Sequence, residues 1–156
     1  MNQRTQFAET VTRLMGENEK IVLLLADVGT YGFREAFKRW PNRCLNTGPA
    51  EAATVGIAAG FAKEGFYPVV HSFSSFLCRR AYEQVYLDFG VQGLRGLFVG
   101  IHGYEKFGAS HICGEDQELM RNVPHMWVGT PTSSGDVDVC LRLSVEENNL
   151  AYVRLS

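Results

Sequence analysis

Residues 46–73 read NTGPAEAATVGIAAGFAKEGFYPVVHSF. Two kinds of segment meet here. Ala50, Ala52, Ala53, Ala58, Ala59 and Ala62, with Gly56 and Gly60, suit a smooth helix over about 50–63, and YPVVHSF at 67–73 reads as a strand. Glycine inside a helix costs up to ~1 kcal/mol relative to alanine, so two of them suggest a packing reason. Residues 47–62 hold one charge, Glu51, in the first helical turn, where the helix dipole favours a carboxylate. A dipole-matched residue is one reading of Glu51. Thr47-Gly48-Pro49 supplies the helix entry, and composition goes no further.

Outward from this unit, short β-branched runs alternate with longer helical stretches. Residues 6–16 suit an amphipathic helix, and IVLLLAD at 21–27 a buried strand, because its apolar residues are continuous. FREAFKRW at 33–40 reads as a helix stopping before Pro41, and RCLN at 43–46 as a short strand. The pattern then predicts a helix over 75–89, a strand at 96–102 and a loop through about 114. A helix closed by Pro124, the strand MWVGT, a helix over 133–147 and the strand AYVRL complete it. No linker or repeat divides the chain, so residues 1–156 are expected to form a single α/β domain: three layers, with a mainly parallel sheet flanked by helices. Ligands of such sheets sit beyond the carboxyl ends of the strands, which brings Asp27, the segment before Glu51, Phe73 and His102 to one edge.

A chain of 156 residues is long enough to close a proper core. Its formal charge of −2 gives no basic footprint for nucleic acid or an anionic membrane. No apolar run approaches the ~20 residues that span a bilayer, and the first residues lack the apolar centre of a signal peptide. Four scattered cysteines without a CxxC pair suggest reduced thiols, hence a soluble cytoplasmic protein. His111 and Cys113 form an HxC near Glu115 and Asp116, but no second ligand pair has zinc-like spacing, so a polar loop is the favoured reading.

Taken together, three blocks resemble the pyrimidine-binding domain of the transketolase family of thiamine diphosphate enzymes. They are LLLADVG at 23–29, NTGPAEAATVGIAAGFAKEGFYPVVHSFSSFLCRRAYEQV at 46–85 and GASHICGEDQELMRNVP at 108–124. The middle block joins a Gly-x-Ala-Glu helix start, an Ala/Gly helix, a Gly-x-x-Pro turn and a Phe-x-x-Phe element in family order. The resemblance implies that Glu51 hydrogen-bonds N1′ of the cofactor's aminopyrimidine and activates it. Desolvation by Ala and Gly neighbours disfavours the charged form of a carboxyl, which suits proton exchange near neutral pH. Phe73 and Phe76 match positions packing around the aminopyrimidine, with Phe76 the stacking residue; ordinary core phenylalanine is the alternative. Asp27 matches an aspartate near the cofactor, or is a strand-end carboxylate capping the next turn. Ser110-His111 falls where relatives carry a Thr-His pair facing the reacting carbonyl, so His111 is a candidate for stabilising an alkoxide or moving a proton. His102 matches another substrate-side histidine, while His71 and His125 read as strand-edge residues without a role.

The departures matter as much. Arg79 stands where the family often has an aromatic residue, Phe107 where relatives carry an aspartate for a substrate hydroxyl, and Ala52 where Gln or His is usual. Tyr31 lies where some relatives help to hold a substrate phosphate. These changes point away from an ordinary pentose phosphate and leave cofactor activation intact. Relatives hold the diphosphate and Mg²⁺ on another domain through Gly-Asp-Gly followed by asparagine. That motif is absent here, and Ser134-Gly135-Asp136 is no substitute. The resemblance therefore implies half a cofactor site and no metal ligand of its own. A separate diphosphate-binding (PP) subunit would carry Mg²⁺, in an α2β2 heterotetramer with sites at the interfaces. The face with Gly56 and Gly60 is a candidate contact surface, internal sheet packing being the alternative. Three functions stay open: a split transketolase-like transferase subunit, a decarboxylating or acyloin-forming subunit acting on a 2-oxo acid, and a non-catalytic assembly module.

Overall fold

The continuous apolar runs read as strands are covered on both faces. The computed structural model describes residues 2–156. The first half comprises α1 (Gln3–Glu17), β1 (Ile21–Leu25), α2 (Arg34–Arg39), β2 (Cys44–Asn46), α3 (Glu51–Lys63) and β3 (Tyr67–Phe73). The second comprises α4 (Ser74–Arg79), α5 (Tyr82–Gln84), β4 (Gly96–Ile101), α6 (Asp116–Arg121), β5 (Met126–Gly129), α7 (Ser134–Glu146) and β6 (Leu150–Leu155). The strands form one sheet in the order β2–β1–β3–β4–β6–β5, and every neighbouring pair is parallel.

Alternation along the strands divides the core into two layers. Ile21, Leu23, Leu25, Val69, Val99 and Val153 face α1, α2 and α7. Val22, Leu24, Val70, Phe98 and Tyr152 face α3, the helical segments after β3, and α6. Helix starts are fixed locally: the Asn2 side chain caps α1, and Ser133 and Asp136 form a reciprocal capping box on α7.

One expectation fails, and one open alternative is decided. The helix over 75–89 is broken at Arg80–Ala81, and a wide π-type turn follows α5 at Val85–Val91. Ala81, Val85 and Phe89 dock on the sheet, with the Phe89 and Phe98 rings 4.9 Å apart edge to face. The bend lets neighbouring arginines part, Arg79 toward Glu115 and Arg80 toward Glu51. These separate tertiary contacts override a continuous helix. In α3, Ala53, Gly56, Ile57 and Gly60 face outward, and a side chain added at either glycine would meet nothing within 4 Å. The glycines do not serve packing against the sheet.

Gly100 does serve packing. A Cβ there would run into the Tyr152 side chain, whose hydroxyl donates to Asp116 Oδ2 at 2.6 Å. We expect Gly100→Ala to lower the unfolding free energy by about 1–3 kcal/mol through overpacking. Gly56→Ala, in open space, should raise it by up to ~1 kcal/mol; urea unfolding measures both.

His71 generates a pH dependence. It is 3 % exposed, its Nδ1 lies 2.8 Å from the Val99 carbonyl oxygen, and the Phe7 ring is 4.7 Å away. Burial pushes its pKa down to about 4, against the favourable Val99 hydrogen bond and with the Arg4 charge adding to the fall. An unfolded histidine takes up its proton near pH ~6.5. Between there and about 4 the unfolded chain binds more protons, so stability is lost as pH falls, by up to ~1.4 kcal/mol per pH unit. His71→Leu should flatten this stretch of the stability–pH curve.

Candidate active site at the carboxyl edge of the sheet

The buried stripe of α3 is Glu51, Thr54, Val55, Ala58 and Ala59, the spacing of one helical face. Glu51 begins that stripe, so the period that buries the alanines also buries the carboxylate, which is 3 % exposed. Strand alternation brings its partner: Ser72 points to the α3 side of β3, and its Oγ donates to Glu51 Oε1 at 3.0 Å. Arg80 Nη1 donates to Oε2 at 3.4 Å. Thr47 anchors the helix entry by donating from Oγ1 to the Leu25 carbonyl at 3.1 Å. The surroundings of Glu51 are therefore not Ala and Gly alone. A hydroxyl, a guanidinium and a helix start surround the buried carboxylate and offset the cost of taking it out of water.

Beside Glu51 lies an aromatic cluster built by β3, α4 and the loop after β4. The ring centres of Phe73 and Phe76 are 5.5 Å apart, and that of His111 is 4.8 Å from each. Phe107 is 5.5 Å from His111 and 46 % exposed, so a hydrophobic ring forms the open side of the cluster. Ser110 Oγ lies 3.1 Å from His111 Nδ1. The loop folds back tightly: a Cβ on Gly103 would overlap the His111 backbone. Arg79 holds its far end, donating from Nη1 to the Ile112 carbonyl at 3.0 Å and from Nε to Glu115 Oε1 at 3.1 Å. That guanidinium holds the Glu115 carboxyl at about 2. Cys113 is fully buried and burial pushes its thiol up, so it points away from thiolate chemistry.

Asp27 and His102 stand outside this cluster. Asp27 adopts φ 57°, its N–H donates to Asn46 Oδ1 at 3.0 Å, and Asn46 Nδ2 donates back to Asp27 Oδ1 at 3.1 Å. This reciprocal pair joins the ends of β1 and β2, the turn-capping arrangement. His102 receives Arg154 Nη2 on Nδ1 at 2.6 Å. A guanidinium only donates, so Nδ1 accepts and the ring proton sits on Nε2. Arg154 in turn donates from Nη1 to fully buried Asp116 Oδ1 at 3.0 Å. Sequence reasoning missed Ser72, Arg80, Asp116 and Arg154. The available signals were polar residues at inward positions of apolar strands, Ser72 in VVHSF and Arg154 in AYVRL.

A cavity of about 630 Å³ opens on the α1 and α2 side of the sheet, with Phe73 in its wall. Arg4, Asp27, Tyr31, His71, Phe73 and Phe107 are among its walls. Alternation again explains the division, since His71 and Phe73 leave β3 on the face opposite to Ser72. His71, read as a strand-edge residue, is instead buried at the wall of this cavity. Phe73 lines this cavity and also packs against Phe76 and His111.

Comparison with known proteins gives the family and the fold. The family model described as the transketolase pyrimidine-binding domain matches residues 1–156. The chain is 31 % identical over 156 residues to the 6-deoxy-6-sulfo-D-fructose transketolase subunit SqwH of Clostridium sp. (strain MSTE9), covering 97 % of this chain and 48 % of that protein. It is 35 % identical over 156 residues to 1-deoxy-D-xylulose-5-phosphate synthase 1 of Geobacter sulfurreducens, covering 95 % of this chain and 24 % of that protein. A split-gene transketolase solved as an inactive β4 tetramer superposes with a TM-score of 0.89 at 30 % identity, covering 99 % of this chain and 51 % of that one. A Pichia stipitis transketolase variant shares the fold, with a TM-score of 0.81 at 16 % identity, covering 97 % of this chain and 25 % of that one. The chain thus spans about half, or less, of the length of the relatives it matches. The chain belongs to the transketolase pyrimidine-binding domain family of thiamine diphosphate-dependent enzymes.

Proposed function

We propose that residues 1–156 act as the pyrimidine-binding half of a split transketolase-like enzyme. The observation that carries this reading is the juxtaposition of a buried carboxylate with a flat aromatic face. Glu51 Oε2 and the Phe76 ring both contact the Arg80 guanidinium, at 3.4 Å and 3.5 Å, so a planar nitrogen-rich group fits between them. The aminopyrimidine of thiamine diphosphate has that shape and donor pattern. Glu51 would hold N1′ and share its proton, Phe76 would stack on the ring, and Phe73 would close its edge. His111, packed against both phenylalanines, would face the reacting carbonyl, and His102, whose Nδ1 is met by Arg154, would turn its Nε2 to a substrate oxygen. Asp27 would shape the loop beside the cofactor rather than touch it. Bound thiamine diphosphate supplies the carbon nucleophile for C–C cleavage or formation next to a carbonyl.

The chain carries no Gly-Asp-Gly for diphosphate and Mg²⁺. A separate PP subunit, in an α2β2 cytoplasmic assembly, would complete the site. The split-gene relative's inactive β4 form supports the need for a second subunit. A second reading, turnover of a 2-oxo acid, is favoured by Phe107, a ring in place of a hydroxyl-binding aspartate.

Thiamine diphosphate with Mg²⁺, titrated by calorimetry into the chain alone and into its mixture with a Gly-Asp-Gly partner, should bind far more tightly in the mixture than to the chain alone. Phe76→Ala should weaken that binding about tenfold. Glu51→Gln should abolish exchange of the cofactor C2 proton with deuterium while leaving assembly intact; unchanged exchange sinks the assignment. A screen of ketose donors, sulfosugars included, against 2-oxo acids then separates the two substrate readings.

A further inference from the structure

The cation beside Glu51 stands where the proposed function needs open space. Arg80 lies at the bend after α4, and its guanidinium carbon is 3.5 Å from the centre of the Phe76 ring. Its Nη1 is 3.4 Å from Glu51 Oε2. An aminopyrimidine requires these same two contacts, and close packing leaves no place for two flat groups between one ring and one carboxylate. We propose that Arg80 occupies the aminopyrimidine seat in the free chain, and that the seat opens when this guanidinium swings out. The inference rests on the reading of Glu51 and Phe76 as cofactor contacts.

Arg80 is built to move. Its side chain is 48 % exposed, whereas that of Glu51 is 2 % exposed, so the carboxylate stays and the cation can leave. Among the described residues, Glu51 is the sole hydrogen-bond partner of its guanidinium. The neighbouring Arg79 is fastened to both Glu115 and the Ile112 carbonyl. A half-exposed ion pair and a cation–π contact are both weak enough to exchange for a ligand. The arrangement also has a use. In the free chain Arg80 keeps a buried carboxylate from standing unpaired. Its departure frees Glu51 Oε2 and one face of the Phe76 ring together, the two contacts that the incoming ring takes up.

The test uses the isotopically labelled 156-residue chain and the probe 4-amino-2,5-dimethylpyrimidine, which needs only this chain's side of the site. Nuclear magnetic resonance should show ring-shifted Arg80 side-chain protons with cross-relaxation to Phe76 in the free chain. The probe should return them to ordinary positions while it perturbs Phe76 and Glu51. Arg80→Ala should tighten the probe by about tenfold, and Arg80→Gln, which keeps the side-chain length without its charge, should follow. Unchanged or weaker binding in these variants, with Phe76 still perturbed, overturns the Arg80 proposal and leaves the cofactor reading standing. A probe that perturbs neither Phe76 nor Glu51 in wild type or variants overturns both.

Discussion

A sheet whose strands all run one way imposes the plan of this molecule. Parallel neighbours cannot be joined by tight turns, so each connection must cross over one face, and helices cover both faces. Every strand then ends at the same edge. Leu25, Asn46, Phe73 and Ile101 are brought there together, and the segments leaving them build the site. The period of two along β3 finishes the arrangement. It sends Ser72 to Glu51 and sends His71 and Phe73 to the cavity on the other side.

Burying Glu51 is the second constraint, because a carboxylate taken out of water costs several kcal/mol unless it is met by partners. Here the partners come from two other elements: the Ser72 hydroxyl from β3 and the Arg80 guanidinium from the bend after α4. The interrupted helix after β3 is part of this solution. A continuous helix would have kept Arg79 and Arg80 on adjoining positions of one cylinder, whereas the bend gives each its own carboxylate.

The loop after β4 combines rigid and exposed features. Gly103 lets its two limbs touch, Arg79 ties down its end, and His111 is clasped between two phenylalanines. Tyr104 and Phe107 remain half exposed above the cavity. An apolar rim of this kind gives the carbonyl-facing side of the site a different character from the carboxylate-facing side. Phe73 lines the cavity and packs against Phe76.

Much of this was legible in the residues. Continuous apolar runs gave away strands buried on both faces, and the Ala/Gly helix followed by YPVVHSF marked the unit on which the family resemblance rests. Glu51, Phe73, Phe76 and His111 became candidates through the family resemblance, since composition and spacing alone left Glu51 a dipole-matched residue. The sequence by itself determined the α/β class, the parallel sense and the place of a carboxylate at a helix start. Only the tertiary structure decided what that carboxylate touches. Ser72 and Arg80 are 21 and 29 residues away from it, and Arg154 is 52 residues from His102. Such pairings depend on crossover geometry and strand register, which no local period encodes. The same holds for the outward glycines of α3 and the broken helix after β3, where the outcome was set by what lay across the gap.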